Sequence, residues 1–195
     1  MPAMNRSAVA FALTALTLGG ASGGAARAAG EPVTWQQVVP ILAARCMSCH
    51  APQGRMGPAP EGYVLTSHQA AVSATDRVRV VPGRPEASEL LRRVRGHATP
   101  RMPFDGPPWL DDGQTALIAR WIADGARDAD GRPTPVPAGA RIRLRGVMSA
   151  DGSLDGLALP AGGRRDKLPS PGEAMELRGH LRADGSIEVE RLRRR

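Results

Sequence analysis

Cysteine occurs twice in this chain, and both thiols fall in one pentapeptide, Cys46-Met47-Ser48-Cys49-His50. Two thiols spaced by two residues and followed at once by an imidazole form an attachment site for a c-type haem. Each sulfur adds to a vinyl group of the porphyrin, and the histidine ligates the iron. Zinc would need two further Cys or His donors at finger-like spacing, and His68, His97 and His180 supply no matching pair. A thioredoxin-type dithiol belongs in a βαβ frame, which the hydrophobic pattern does not contain.

Iron held by His50 has a second axial position, for which the chain offers Met56, Met102, His68, His97 or a water. Met47 lies between the two anchoring cysteines and is geometrically excluded. Met102 stands in Thr99-Pro100-Arg101-Met102-Pro103-Phe104. Pro103 biases Met102 toward extended backbone, and Pro100 stiffens the approach. Such a loop can hold a thioether over a flat ring at little further entropic cost, so Met102 is the favoured ligand. His97 competes from the same loop, and Met56 lies in a Gly/Pro-rich stretch. A thioether raises the reduction potential relative to two histidines.

These residues need elements to position them. Thr34 and Gln37 form a capping-box pattern, with Val33 and Val38 as its hydrophobic staple. Trp35, Val38, Val39, Leu42 and Ala43 then follow helical spacing, with Pro40 expected to kink the helix or cost it a hydrogen bond. This helix delivers Arg45 directly into the motif. A second helix is predicted from Glu86 to Arg95, opened by Pro85, with Leu90, Leu91 and Val94 on its apolar face. A third runs from Asp112 to Asp124, capped by Asp111 with Gln114 in the reciprocal position and stopped by Gly125. Leu117, Ile118, Trp121 and Ile122 make its buried stripe, with Trp121 expected in the core near the haem.

With these segments placed, residues 34–126 resemble a class I-like c-type cytochrome domain. The resemblance rests on Val38-Val39-Pro40-Ile41-Leu42 before the motif and Arg101-Met102-Pro103 after it. The stretch from Val80 to Leu90 and that from Ala119 to Ala126 are also similar to that family. It implies a mainly α cytochrome c fold with one covalently attached haem c. Cys46 and Cys49 would be its thioether anchors, His50 the proximal ligand and Met102 the distal one. Many relatives carry glycine after the motif histidine, whereas this chain has Ala51-Pro52. The carbonyl that receives the other ring N–H of His50 is expected at Pro58 or Pro60.

The chain ends differently. Residues 29–130 carry 11 basic and 11 acidic side chains, whereas residues 131–195 carry 13 basic and 8 acidic ones. Pro133, Pro135 and Pro137 mark residues 131–139 as a stiff linker. Beyond it Ile142, Leu144 and Met148 alternate, as do Met175, Leu177 and Leu181, and then Ile187 with Val189. Leu144-Arg145-Gly146 followed by Ala150-Asp151-Gly152-Ser153 is echoed by Leu177-Arg178-Gly179 followed by Ala183-Asp184-Gly185-Ser186. Asp-Gly between alternating runs signals hairpins. Residues 140–195 are thus expected to form a small antiparallel β domain, OB-like or a partial barrel, from two hairpins joined by residues 160–172. So small a segment makes a marginal core and needs a neighbour. The haem spectrum is expected to survive deletion of residues 131–195.

At the other end, Arg6, the apolar run from Ala8 to Leu18 and Ala26-Arg27-Ala28 read as a signal peptide over residues 1–28. Cleavage after Ala28 and export to the periplasm are the expectation, with no cysteine to carry a lipid anchor. An exported protein rarely meets nucleic acid, and the basic tail has no aromatic residue for base stacking. Its arginines read as a solvated face, or as a docking surface for an acidic redox partner or an anionic membrane.

Three function classes remain open. A single-haem electron carrier, or an electron-transfer subunit of a dehydrogenase complex, breaks no substrate bond and is not an enzyme. A peroxidase needs a displaceable sixth ligand, and its common bacterial form a second haem, for which no second motif exists. A haem-based sensor or assembly module would make the β segment the working part.

Overall fold

Thr34 starts the first helix as its sequence requires: its N–H donates to the Gln37 side chain at 2.7 Å. Helix α1 (Trp35–Arg45) follows, burying Trp35, Val38 and Leu42 and leaving Pro40 inside the helix on its exposed side. In this computed structural model residues 30–160 and 169–195 are described. The expected signal peptide lies outside the described residues, as does the middle of the 160–172 connection. A short α2 (His68–Ala71), α3 (Glu89–Arg95) and α4 (Asp112–Ala123) complete the helical part. Among the described residues no helix is long and apolar enough to cross a membrane.

The predicted helix over 86–95 is broken in two. A 3₁₀ turn at Pro85–Ala87 is separated from α3 by Ser88, which is extended (φ −94°, ψ 113°). The buried Ser88 hydroxyl accepts from Val81 N–H at 2.9 Å and donates to the Arg84 carbonyl at 3.0 Å. A short polar side chain that bonds nearby backbone competes with the helix here.

Helices α1, α3 and α4 bury Leu42, Leu91, Ile118, Trp121 and Ile122 in one hydrophobic cluster. Trp121 is fully buried, donates its indole N–H to the Arg127 carbonyl at 2.9 Å and lies 5.7 Å from the Trp35 ring.

Strands β1 (Arg141–Val147), β2 (Ala174–Leu181) and β3 (Ile187–Arg194) form an antiparallel sheet in the order β1-β2-β3. Among the described residues this is an open three-stranded sheet, and the expected hairpin at Asp151-Gly152 is reduced to a single bridge between Met148 and Leu154, with Ser149 N–H donating to the Ser153 carbonyl at 2.9 Å. Asp184-Gly185 joins β2 to β3 as predicted. After Asp151-Gly152 the chain folds into a tight loop, with Leu154 and Leu157 exchanging backbone bonds at 2.9 and 3.1 Å. Asp155 in that loop has φ 45° and accepts from Val147 N–H at 2.9 Å. β1 therefore pairs along its length with β2 and meets its own sequel only at its end, where Asp155 N–H donates to the Val147 carbonyl at 3.0 Å.

The described residues from Glu31 to Arg195 form one compact unit. The apolar side of the sheet, with Ile142, Leu144, Met175 and Leu177, packs on Val78, Val81 and Ala87 from the helical half. Arg92 of α3 is 1 % exposed. Its guanidinium donates to the carbonyls of Arg145 and Leu154, at 3.0 to 3.1 Å, and to the Asp155 carboxylate at 2.9 Å. A β-carbon at Gly146 would stand 2.1 Å from Arg92 Nη2, so this glycine makes room for the interlock.

Candidate functional site

Helix α1 runs straight into the Cys-x-x-Cys-His turn. Cys46 N–H donates to the Leu42 carbonyl at 2.8 Å, and His50 N–H to the Cys46 carbonyl at 2.9 Å. The pentapeptide is therefore a further turn of helical type. The chain then folds back beneath it through Ala51-Pro52. Arg55 N–H donates to the Ser48 carbonyl at 2.6 Å, and Gly54 and Gly57 exchange backbone bonds at 2.8 and 3.0 Å. A β-carbon at Gly54 would stand 2.8 Å from the Cys49 carbonyl oxygen and 2.9 Å from that of Ser48.

The His50 ring is held by Tyr63, not by Pro58 or Pro60. Its Nδ1 lies 2.8 Å from the Tyr63 carbonyl oxygen. A carbonyl only accepts, so Nδ1 carries the hydrogen and Nε2 keeps its lone pair for a metal. The reason lies in a 3₁₀ turn at Pro60–Gly62, which engages the Pro60 carbonyl with Tyr63 N–H at 3.1 Å. The next residues run beside the motif, with Leu65 N–H donating to the His50 carbonyl at 2.8 Å. Tyr63, the chain's one tyrosine, was not nominated by the sequence reading. Its ring meets His50 edge-on at 5.8 Å, its hydroxyl donates to the Ala71 carbonyl at 3.0 Å, and burial pushes its phenol up.

The loop carrying Met102 is tied to α3. Met102 N–H donates to the Arg93 carbonyl at 3.0 Å, and the Arg93 guanidinium to the Pro100 carbonyl at 3.1 Å. Cys46, Cys49, His50, Tyr63, Leu65, Leu90, Val94 and Met102 all line one cavity of about 530 Å³. That size lies within the roughly 300–1,000 Å³ of cofactor clefts.

Of the other axial candidates, Met56 lines this cavity from an exposed position, while His68 and His97 do not line it. His68 donates from Nε2 to the Ala126 carbonyl at 2.8 Å and packs edge-on against Trp35. Among the described residues His97 Nδ1 is buried without a hydrogen-bond partner, and burial lowers the pKa of this side chain.

The donor set fits a haem. Burial pushes the Cys46 thiol up to about 11 against the pull of Arg45, so it is a thiol at neutral pH and not an activated thiolate. Among the described residues no three His, Cys, Asp or Glu side chains gather where they could hold a metal ion by themselves. A haem also brings two carboxylates, and Arg45, Arg55, Arg79, Arg93 and Arg145 stand in the cavity wall beside the acidic Glu61, Glu89 and Asp105. Arg145 comes from β1, outside the segment that the sequence reading assigned to the haem.

Residues 46–106, from the first motif cysteine to just beyond the Met102 loop, match the family model described as Planctomycete cytochrome C. The chain carries a c-type cytochrome-like domain. A cytochrome c domain implies haem binding and is compatible with electron transfer. No curated protein and no solved structure matches the chain.

Proposed function

We propose that the chain is an exported cytochrome that carries one covalently attached haem c and moves electrons between periplasmic redox partners, or serves as the electron-transfer subunit of a dehydrogenase complex. The observation that carries this reading is the orientation of His50. Its Nδ1–H is committed to the Tyr63 carbonyl, which leaves Nε2 bare in a cavity shared with both thiols and Met102.

In this reading Cys46 and Cys49 would anchor the haem through thioether bonds, and His50 and Met102 would ligate its iron. The haem supplies an iron that changes its charge by one electron while no substrate bond is broken. The Tyr63 carbonyl fixes the His50 tautomer and makes the imidazole a stronger donor. Leu65, Leu90 and Val94 give the cavity an apolar part of its wall, and the backbone bond from Met102 to Arg93 holds the thioether loop against α3. Met102 stands ahead of His97 because it lines the cavity and His97 does not.

Carbon monoxide tests the assignment. The reduced holoprotein is expected to resist it, and Met102→Ala to take it up with a shift of the Soret band. Ready uptake by the unaltered protein, or uptake opened by His97→Ala and not by Met102→Ala, would refute the ligand set and favour a peroxidase or gas sensor.

A further inference from the structure

The sheet has one buried side and one side that carries arginine. In register across the three strands, Arg143 stands opposite Arg178, and Arg178 opposite Arg191. Like charges directly opposite one another destabilise a sheet, and no carboxylate stands in that row. The neighbouring row is Arg145, Glu176 and Arg193. Its one carboxylate is 1 % exposed beneath three guanidinium groups, with contacts of 3.3 Å to Arg145, 2.8 Å to Arg178 and 2.9 Å to Arg193.

This arrangement fixes the guanidinium groups while leaving them open to solvent: the side chains of Arg178 and Arg193 are 45 % and 47 % exposed. The face also reaches the haem cavity. Arg145 lines the cavity and donates to the Thr99 carbonyl at 3.4 Å, and Arg143 pairs at 3.0 Å with Glu61, which lines it too.

We propose that this arginine face of the C-terminal sheet is the docking platform for an acidic protein that exchanges electrons with the haem. The inference rests on the haem reading and adds the partner's chemistry and its place of contact. Guanidinium forks held in fixed positions suit the carboxylates of a protein surface. Their continuity with the cavity brings a docked partner to where an electron can pass. A bound haem would supply the single electron that passes to the partner, and no bond would be made or broken. A uniform attraction to an anionic membrane would use the charge but not this adjacency.

Two small oxidants of opposite charge test the platform by stopped flow on the reduced holoprotein. Oxidation by ferricyanide is expected to slow about tenfold at low salt in Arg178→Gln combined with Arg191→Glu. Oxidation by tris(phenanthroline)cobalt(III) should hold or quicken. Binding of poly-L-glutamate should weaken in parallel, while Arg132→Glu, a change of equal sign off the sheet, should leave both unaltered. Arg191→Gln should melt no lower than the parent, because it relieves repulsion; a clear fall would make the row a structural feature.

Equal effects on both oxidants, or none, would overturn the proposal. So would capture by phosphatidylglycerol vesicles without binding of poly-L-glutamate. A Soret band in every variant separates this failure from failure of the haem reading, which a colourless protein would show.

Discussion

At Gly54 a hydrogen is the only side chain that fits, because the backbone there lies against the carbonyls of Ser48 and Cys49. Gly54→Ala forces those carbonyls to move and with them the spacing of the two thiols. The expected result is a loss of about 1–3 kcal/mol, read as a lower melting temperature, together with a reduced yield of doubly attached haem. Unchanged attachment and melting would mean that the turn beneath the motif does not position it. At this scale Cys46, Cys49, His50 and Met102 were legible because their chemistry lies in residue type and spacing. Tyr63 and Gly54 were not. Tyr63 acts through a backbone carbonyl, which any residue has, and Gly54 through contact with a segment that only the folded turn brings near.

Between elements, the main joint is Arg92. The apolar period of α3 announced Leu90, Leu91 and Val94 but gave no sign that the arginine beside them enters the core. Beyond the Glu86 carbonyl, its partners come from β1 and from the Leu154–Leu157 loop, and such a pairing across the Pro-rich segment leaves no mark in either local pattern. The Leu-Arg-Gly echo was visible, but its meaning was not. Gly146 makes room for Arg92, whereas a β-carbon at Gly179 would stand 2.0 Å from the Glu188 carbonyl oxygen, at an irregularity in the β2–β3 pairing. Deleting residues 131–195 would remove the partners that Arg92 finds in β1 and the Leu154–Leu157 loop, and expose Val78, Val81 and Ala87 to water. The truncated chain is therefore expected to lose its cooperative thermal transition and its native haem spectrum, in contrast to what the sequence alone suggests. A truncated holoprotein that keeps both would show the helical half to be self-sufficient.

Over the whole molecule, the excess of basic residues in the second half was readable by counting. The gathering of Arg143, Arg145, Arg178, Arg191 and Arg193 on one side of the sheet around the buried Glu176 depends on strand register. Burial alone would raise the Glu176 pKa, but hydrogen bonds from Arg193, Arg178 and Arg145 outweigh it and hold the group at about 2, against an ordinary value of 4.5. A carboxyl depressed in the folded state contributes stability that is complete above its unfolded pKa and lost as pH falls through the folded one. The melting temperature is thus expected to fall between about pH 4.5 and pH 2, and Glu176→Gln to flatten that slope while lowering the plateau above it. A slope unchanged by the substitution would remove Glu176 from the account of acid stability.

The central claim, a haem joined to both thiols with its iron on His50, is met most directly by the pyridine haemochrome spectrum of the protein purified after export. The account predicts a c-type spectrum with two thioether bonds and one haem per chain, reduced to a single bond in Cys46→Ala or Cys49→Ala. A colourless protein, or a haem that solvent extracts without breaking a covalent bond, would contradict it.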